Sequence, residues 1–300
     1  MPKILNIFQG VILLFWYVSA QQKQENCGIS PNLPYYKRVL NETNPEYQQM
    51  KILGGIPSKE THWPWAGYLD VGCTAVIIHP RWALTAMHCF AKYGTRLEYH
   101  SVDKTPHAYK TFKVYVDQVI TPDDSCRKLP EDSECFCCRN QDIALLHLTE
   151  DLEFDEKVGK ICLSNDLEEK EETGRVVIGW GVDPMKNATT NILQEVVVPI
   201  QDPEEFCGNN THEKEICAGG LMKGTGKGDS GGPLMMIKND KWFLHGITSR
   251  GDYNHTESGM IKDRASYTDV TKWVRDMDVR PLEREQWYCQ VLRGTYPVLV

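Results

Sequence analysis

The sequence predicts an all-β fold, a sandwich or a pair of barrels, ending in one short C-terminal helix. Two observations carry that expectation. From Ile52 onward the chain breaks into short apolar runs of strand length, with Gly, Pro, Asn and Asp between them. Only Thr271-Lys-Trp-Val-Arg-Asp-Met277 spaces its apolar residues as a helix face requires, and no internal repeat is visible.

The elements follow in chain order. Lys3 precedes an apolar stretch that ends at Val18-Ser19-Ala20 and gives way to polar Gln21 to Glu25, so residues 1–20 read as a signal peptide cut after Ala20. A membrane anchor fits less well, because Asn6, Gln9 and Gly10 interrupt the run and no later segment is apolar enough to span a bilayer. The expected product is secreted and extracellular, with no membrane partner. Residues 21–51 are polar, carry Cys27 and Asn41 and show neither period, as in a leader peptide. The strand candidates are Gly67-Tyr-Leu-Asp70, Thr74-Ala-Val-Ile-Ile78, Trp82-Ala-Leu-Thr85, Phe112-Lys-Val-Tyr-Val116, Ile143 to Leu148, Val176-Val-Ile178, Leu193 to Ile200, Pro233 to Ile237 and Trp242 to Thr248. The main domain then runs over 52–277, and the polar, aromatic extension 278–300 has no assignable element.

Composition narrows the function. A net charge of −8 with no basic run argues against nucleic-acid binding. In an oxidising compartment the 11 cysteines read first as disulfides, and their odd number leaves at least one without a partner in the chain. Sequons at Asn41, Asn187, Asn209 and Asn254 suit the same route as glycosylation sites. Cys126, Cys135, Cys137 and Cys138 crowd into an acidic insertion before Asp142, and Cys289 lies in the tail. Disulfides, not a metal site, are the expectation there, with the pairing open.

Three segments carry chemistry. A serine hydroxyl is a weak nucleophile at neutral pH and needs a histidine base, itself oriented by a carboxylate. Gly226-Lys-Gly-Asp-Ser-Gly-Gly-Pro233 displays Ser230 between glycines, Leu84-Thr-Ala-Met-His-Cys89 holds His88, and Asp142-Ile-Ala-Leu-Leu146 opens on Asp142. Singly, His88 reads as a packed core histidine and Asp142 as a strand-edge carboxylate. Together, in the order His, Asp, Ser, the segments resemble those of the chymotrypsin-like serine proteases, from Ile52 to about Met277. The resemblance implies two six-stranded antiparallel β-barrels, a serine endopeptidase acting on polypeptides, and no cofactor. Met87 departs from the small residue usual before the histidine, and His147 matches nothing in the pattern and reads as structural.

The same resemblance implies further roles. The N–H groups of Gly228 and Ser230 would form an oxyanion hole, each donor worth about 3–4 kcal/mol. Asp229 would receive the ammonium of Ile52 after a trypsin-like activator cuts at Lys51 in Lys51-Ile-Leu-Gly-Gly55, so the chain reads as a zymogen. Protein inhibitors are further expected partners. Implied disulfides are Cys27 with Cys162, which tethers the leader, Cys207 with Cys217, and Cys73 with Cys89, the last worth about 3 kcal/mol in the chain-entropy model. Gly226 stands where the family commonly has cysteine, and Arg175 and Met236 occupy the places of another absent pair.

By the same counting, Gly224 forms the base of the substrate pocket, with Ser249, Gly251 and Ala265 along its walls. Gly224 supplies no carboxylate to pair with Lys or Arg, so the expected specificity is not trypsin-like at P1, the residue before the scissile bond. An apolar side chain suits these small residues. An acidic one is the alternative, since Lys223, Lys227, Arg250 and Arg264 fall nearby, although solvated loop charge explains them equally well. A second reading of the whole chain is an inactive homolog that serves as a regulatory binding module.

Overall fold

Two barrels form because the apolar runs must bury at least one face inside a barrel, and those between the barrels bury the other against the neighbouring layer. The computed structural model describes residues 26–40, 55–89, 91–105, 111–121, 142–167, 174–183, 188–208, 213–221, 224–255 and 261–279. The expectations for residues 1–20, Asn41, Lys51, Ile52, Asn187, Asn209, Lys223, the cysteine-rich insertion and Cys289 lie outside the described residues, as does the side chain of Asn254.

The first barrel is closed and antiparallel, in the order β2-β3-β4-β7-β6-β5. Its strands are β2 (Ala66–Leu69), β3 (Cys73–His79), β4 (Trp82–Thr85), β5 (Arg96–Tyr99), β6 (Phe112–Ile120) and β7 (Ala144–Leu148). Along β3 every residue but His79 is buried, as a strand sandwiched between barrel interior and second barrel requires. Solvent-facing β6 instead alternates, burying Val114 and Val116 while Phe112 and Tyr115 stay exposed. His147 on β7 meets Asp117 at 2.5 Å and packs edge-on to Trp82, so it braces this barrel.

The second unit is a sheet of β1 (Ile56–Pro57), β8 (Gly174–Gly179), β11 (Gln194–Pro199), β12 (Glu215–Ala218), β13 (Pro233–Lys238), β14 (Lys241–His255) and β15 (Ile261–Asp269), in the order β1-β11-β8-β13-β14-β15-β12. Its two long ends meet. Ile200, just after β11, bridges Ala218 of β12, and Gln201 N–H donates to Cys217 C=O at 2.9 Å, which closes six strands and leaves two-residue β1 outside as an extra rung. The short pair β9 (Val182–Asp183) and β10 (Ala188–Thr189) stands apart. Helix α2 (Val270–Val279) covers the predicted helical segment, and the Asp269 carboxylate caps it by accepting from Lys272 N–H at 3.0 Å.

Residues 26–40, expected to lack regular structure, contain α1 (Leu33–Val39) and dock on the second barrel. Burial outweighs the weak propensity of seven residues: Tyr36 is fully enclosed, 5.5 Å from Trp63 and 5.4 Å from Trp242 between ring centroids. The disulfide from Cys27 to Cys162 fastens the start of this segment, and Lys37 pairs with Asp240 at its end.

Candidate active site

His88, Asp142 and Ser230 meet where the barrels join. His88 lies in the tight turn Met87–Cys89 after β4, which the Cys73–Cys89 disulfide ties to the start of β3. Asp142 stands just before β7, whose Ala144 faces Thr85 of β4, so pairing of the two strands brings the carboxylate beside that turn. Ser230 comes from the second barrel, in the turn before β13, and its carbonyl accepts from Thr74 N–H of β3 at 2.8 Å.

The three form one hydrogen-bonded line. His88 Nδ1 is 2.7 Å from Asp142 Oδ2, and His88 Nε2 is 2.8 Å from Ser230 Oγ. A carboxylate only accepts, so Nδ1 carries the shared proton and the bare Nε2 faces the hydroxyl. Asp142, 5 % exposed, also accepts His88 N–H on Oδ1 at 2.8 Å and the Ser249 hydroxyl on Oδ2 at 2.6 Å. The Ser249 side chain, expected along the pocket wall, thus points to Asp142 and orients it. Burial pushes the His88 imidazole down, but the hydrogen bond and charge of Asp142 more than reverse this, and the ring titrates above its ordinary 6.5.

Around Ser230 the backbone is built on glycine. Gly228 has φ of 102°, and a Cβ there would lie 3.1 Å from the Cα of Gly181. Asp229 turns away from the serine and accepts from Gly181 N–H and Gly226 N–H, each at 2.7 Å. Desolvation pushes its carboxyl up, against these two bonds and the charge of Lys104. The sequence reading missed three residues here. A Cβ on Gly179 or Gly181 would fall 2.0 or 2.5 Å from the Asp229 carboxyl, so both glycines make its recess. Lys104 closes that recess from the first barrel, its ammonium on Trp180 C=O at 3.0 Å and over the Tyr68 ring.

The pocket corrects two expectations. Gly224, Gly251 and Ala265 gather as predicted by count, but the base is not free of carboxylate. Asp263 of β15 reaches across, so that a Cβ on Gly224 would lie 1.6 Å from its Oδ2, which accepts Thr225 N–H at 3.1 Å. Counting from Ser230 finds only the residue at the base and not a side chain that fills the same space from the facing strand. Arg250, read as a cation for an acidic substrate, is instead gripped by buried Glu215 through two bonds of 2.5 and 2.8 Å.

Among known families, the one described as Trypsin matches residues 52–274. The chain belongs to the trypsin family. It is 31 % identical over 243 residues to coagulation factor XI of Bos taurus, a match that covers 75 % of this chain and 37 % of that protein. It is 30 % identical over 260 residues to transmembrane protease serine 11G of Mus musculus, covering 81 % of this chain and 59 % of that one. The chain therefore spans under two thirds of either relative. Among the described residues no helix is long and apolar enough to cross a membrane.

In this family member two positions expected to carry cysteine are filled differently. A Cβ on Gly226 would fall 2.1 Å from Val182 C=O, so a cysteine side chain has no room. At Arg175 a buried polar contact fills the place of the absent pair, its Nε donating to His245 Nδ1 at 3.2 Å. Burial, then the charges of Arg175 and Lys272, drive His245 down to about 3, so it stays a neutral acceptor.

Proposed function

We propose that the chain is a secreted serine endopeptidase, made as a zymogen with leader 21–51 and catalytic domain 52–277. The observation that carries the reading is the line Asp142–His88–Ser230, with Nε2 placed 2.8 Å from Oγ. Ser230 Oγ attacks the scissile carbonyl carbon as its proton passes to His88 Nε2. The oxygen that becomes negative is received by Gly228 and Ser230 N–H. Nε2 then gives the proton to the leaving amine, and a water repeats the sequence to release the acid. No cofactor enters. Cleavage after Lys51 by a trypsin-like activator would free the Ile52 ammonium for Asp229, and the Gly179–Gly181 recess supports that role by aiming the Asp229 carboxylate away from substrate. The leader would remain attached through Cys27 and Cys162.

Labelling by a fluorophosphonate tests the reading, on secreted protein before and after cleavage at Lys51. Label is expected on Ser230 after cleavage only, and none on Ser230→Ala. Cleaved, folded protein that stays unlabelled would leave the chain a binding module. Acid pH gives a second check. The free enzyme needs His88 neutral, so kcat/KM is expected to fall as pH drops through a value above 6.5. Asp142→Asn should move that limb down, because it removes the charge that raises the ring. An acid limb well below the ordinary imidazole value would refute the assignment of His88 as base.

A further inference from the structure

We propose that Lys104 is a positioning residue for the reaction at Ser230: from the first barrel it fixes the backbone of residues 180–182, and through that backbone the direction of Gly228 N–H. The inference rests on the endopeptidase reading for the role of that N–H as an oxyanion donor. It adds a residue from the loop between β5 and β6, with no share in the line Asp142–His88–Ser230, that keeps the donor aimed.

Three consecutive residues after β8 make the link. Lys104 Nζ donates to Trp180 C=O at 3.0 Å, Gly181 N–H donates to Asp229 Oδ1 at 2.7 Å, and Val182 N–H donates to Lys227 C=O at 2.8 Å. Trp180 C=O and Gly181 N–H belong to one planar peptide unit, so the ammonium grips from one side the group that holds Asp229 from the other. Lys227 C=O and Gly228 N–H belong to another such unit. In a trans peptide the two point in opposite directions, so the carbonyl held by Val182 fixes where Gly228 N–H points. Gly228, with φ of 102° and no side chain, leaves its own torsions free to turn that peptide over, so the restraint has to come from outside the turn.

Lys104 is itself held in place. Its N–H donates to Asn191 C=O at 3.0 Å, Asp103 bridges Ile192, and Val102 C=O accepts from Leu193 N–H and from Trp180 Nε1, each at 2.8 Å. Its ammonium lies 4.8 Å from the centre of the Tyr68 ring, which packs edge-on to Trp180. Charge enters as well as shape. An ammonium on a carbonyl polarises the peptide and strengthens its N–H as a donor, here the one that Asp229 accepts. Burial pushes the Lys104 ammonium down from its ordinary value and the Asp229 carboxylate works against that shift, so the two charges act on each other across the peptide.

The test uses the full secreted chain cleaved after Lys51, with the peptide amide it turns over fastest among those carrying Arg, Lys, Phe, Leu or Glu at P1. Lys104→Met keeps an apolar stem against Tyr68 and loses the donor. Its kcat is expected to fall about tenfold to a hundredfold with KM within about threefold, the mark of an oxyanion donor misplaced and not removed. Lys104→Arg, which keeps a charged donor, is expected to recover most of the loss. A methionine variant at wild-type kcat, a loss confined to KM, or a loss that arginine does not recover overturns the proposal and leaves the serine chemistry standing. Wild-type chain that does not label at Ser230 sinks the catalytic reading, and hydrogen exchange followed by mass spectrometry then decides this one. Amides of residues 180–183 and 226–231 are expected to exchange at least about tenfold faster in Lys104→Met, with those of β6 and β7 unchanged. Exchange that is the same in both chains, or faster throughout, overturns the proposal. If Lys104→Met does not fold, Lys104→Gln, one bond shorter and uncharged, is read by the same measurements.

Discussion

Asp142→Asn is expected to lower kcat by about 10⁴ while the protein stays folded. The carboxylate receives donors only: His88 N–H on Oδ1, and His88 Nδ1–H and the Ser249 hydroxyl on Oδ2. An asparagine must place its NH₂ on one of those sides. If the amide oxygen stays toward His88 N–H, the NH₂ points at Nδ1, and the ring answers by accepting there and carrying its proton on Nε2. Nε2–H then faces Ser230 Oγ, and the base is in the wrong tautomer for the step it must perform. The hydroxyl of Ser249 can turn and accept from the amide, so the fold loses little, and the loss should fall on kcat with KM nearly unchanged. Steady-state kinetics with a melting curve on the same sample measures both. A loss under about tenfold would mean that Asp142 does not set the ring tautomer.

The segments that meet at the candidate site were legible in the sequence because each is local. His88 and Cys89 adjoin β4, Asp142 adjoins β7, and Ser230 lies within a glycine turn whose backbone freedom is written in the residues themselves. The barrels were legible because runs such as Thr74 to Ile78 have nowhere to go but between layers. What could not be read depends on side chains that reach across strands. Ser249 turns its hydroxyl to Asp142, and Asp263 fills the space that Gly224 leaves, contacts that no count along one strand contains. The leader helix was hidden for a related reason. Leu33–Val39 has little periodic signal, and Tyr36 finds its partner Glu195 at a sequence separation of 159.

That partner is the most exacting polar site outside the catalytic line, and Glu195→Ala is expected to destabilise the protein by about 3–5 kcal/mol. Glu195 on β11 has a side chain 1 % exposed. Its Oε1 accepts Tyr36 O–H at 2.8 Å, and its Oε2 faces Ser58 Oγ and Trp63 Nε1, each at 2.6 Å, and His62 Nδ1 at 3.2 Å. Truncation strands these groups in a dry space, each unsatisfied donor costing about 1–3 kcal/mol and the set less than the sum. Against a typical stability of about 5–15 kcal/mol such a loss approaches unfolding. Glu195→Gln separates charge from acceptor geometry. Its amide oxygen can take the crowded Oε2 side, while its NH₂ donates to the Tyr36 hydroxyl, which reverses its own bond; about 1–2 kcal/mol is the expected cost. Acid should erase the difference between wild type and Gln. Burial raises the Glu195 carboxyl, yet the bonds from His62, Ser58, Tyr36 and Trp63 outweigh it and hold the group below its ordinary 4.5. A depressed value means that the ionised form stabilises the fold above the unfolded pKa, and that this contribution disappears as pH falls through the lower, folded one. Denaturant titrations at pH 7 and at successive values below 4.5 should therefore show the Gln penalty shrinking. A penalty that is constant with pH would show that shape, and not charge, holds the leader against the barrel.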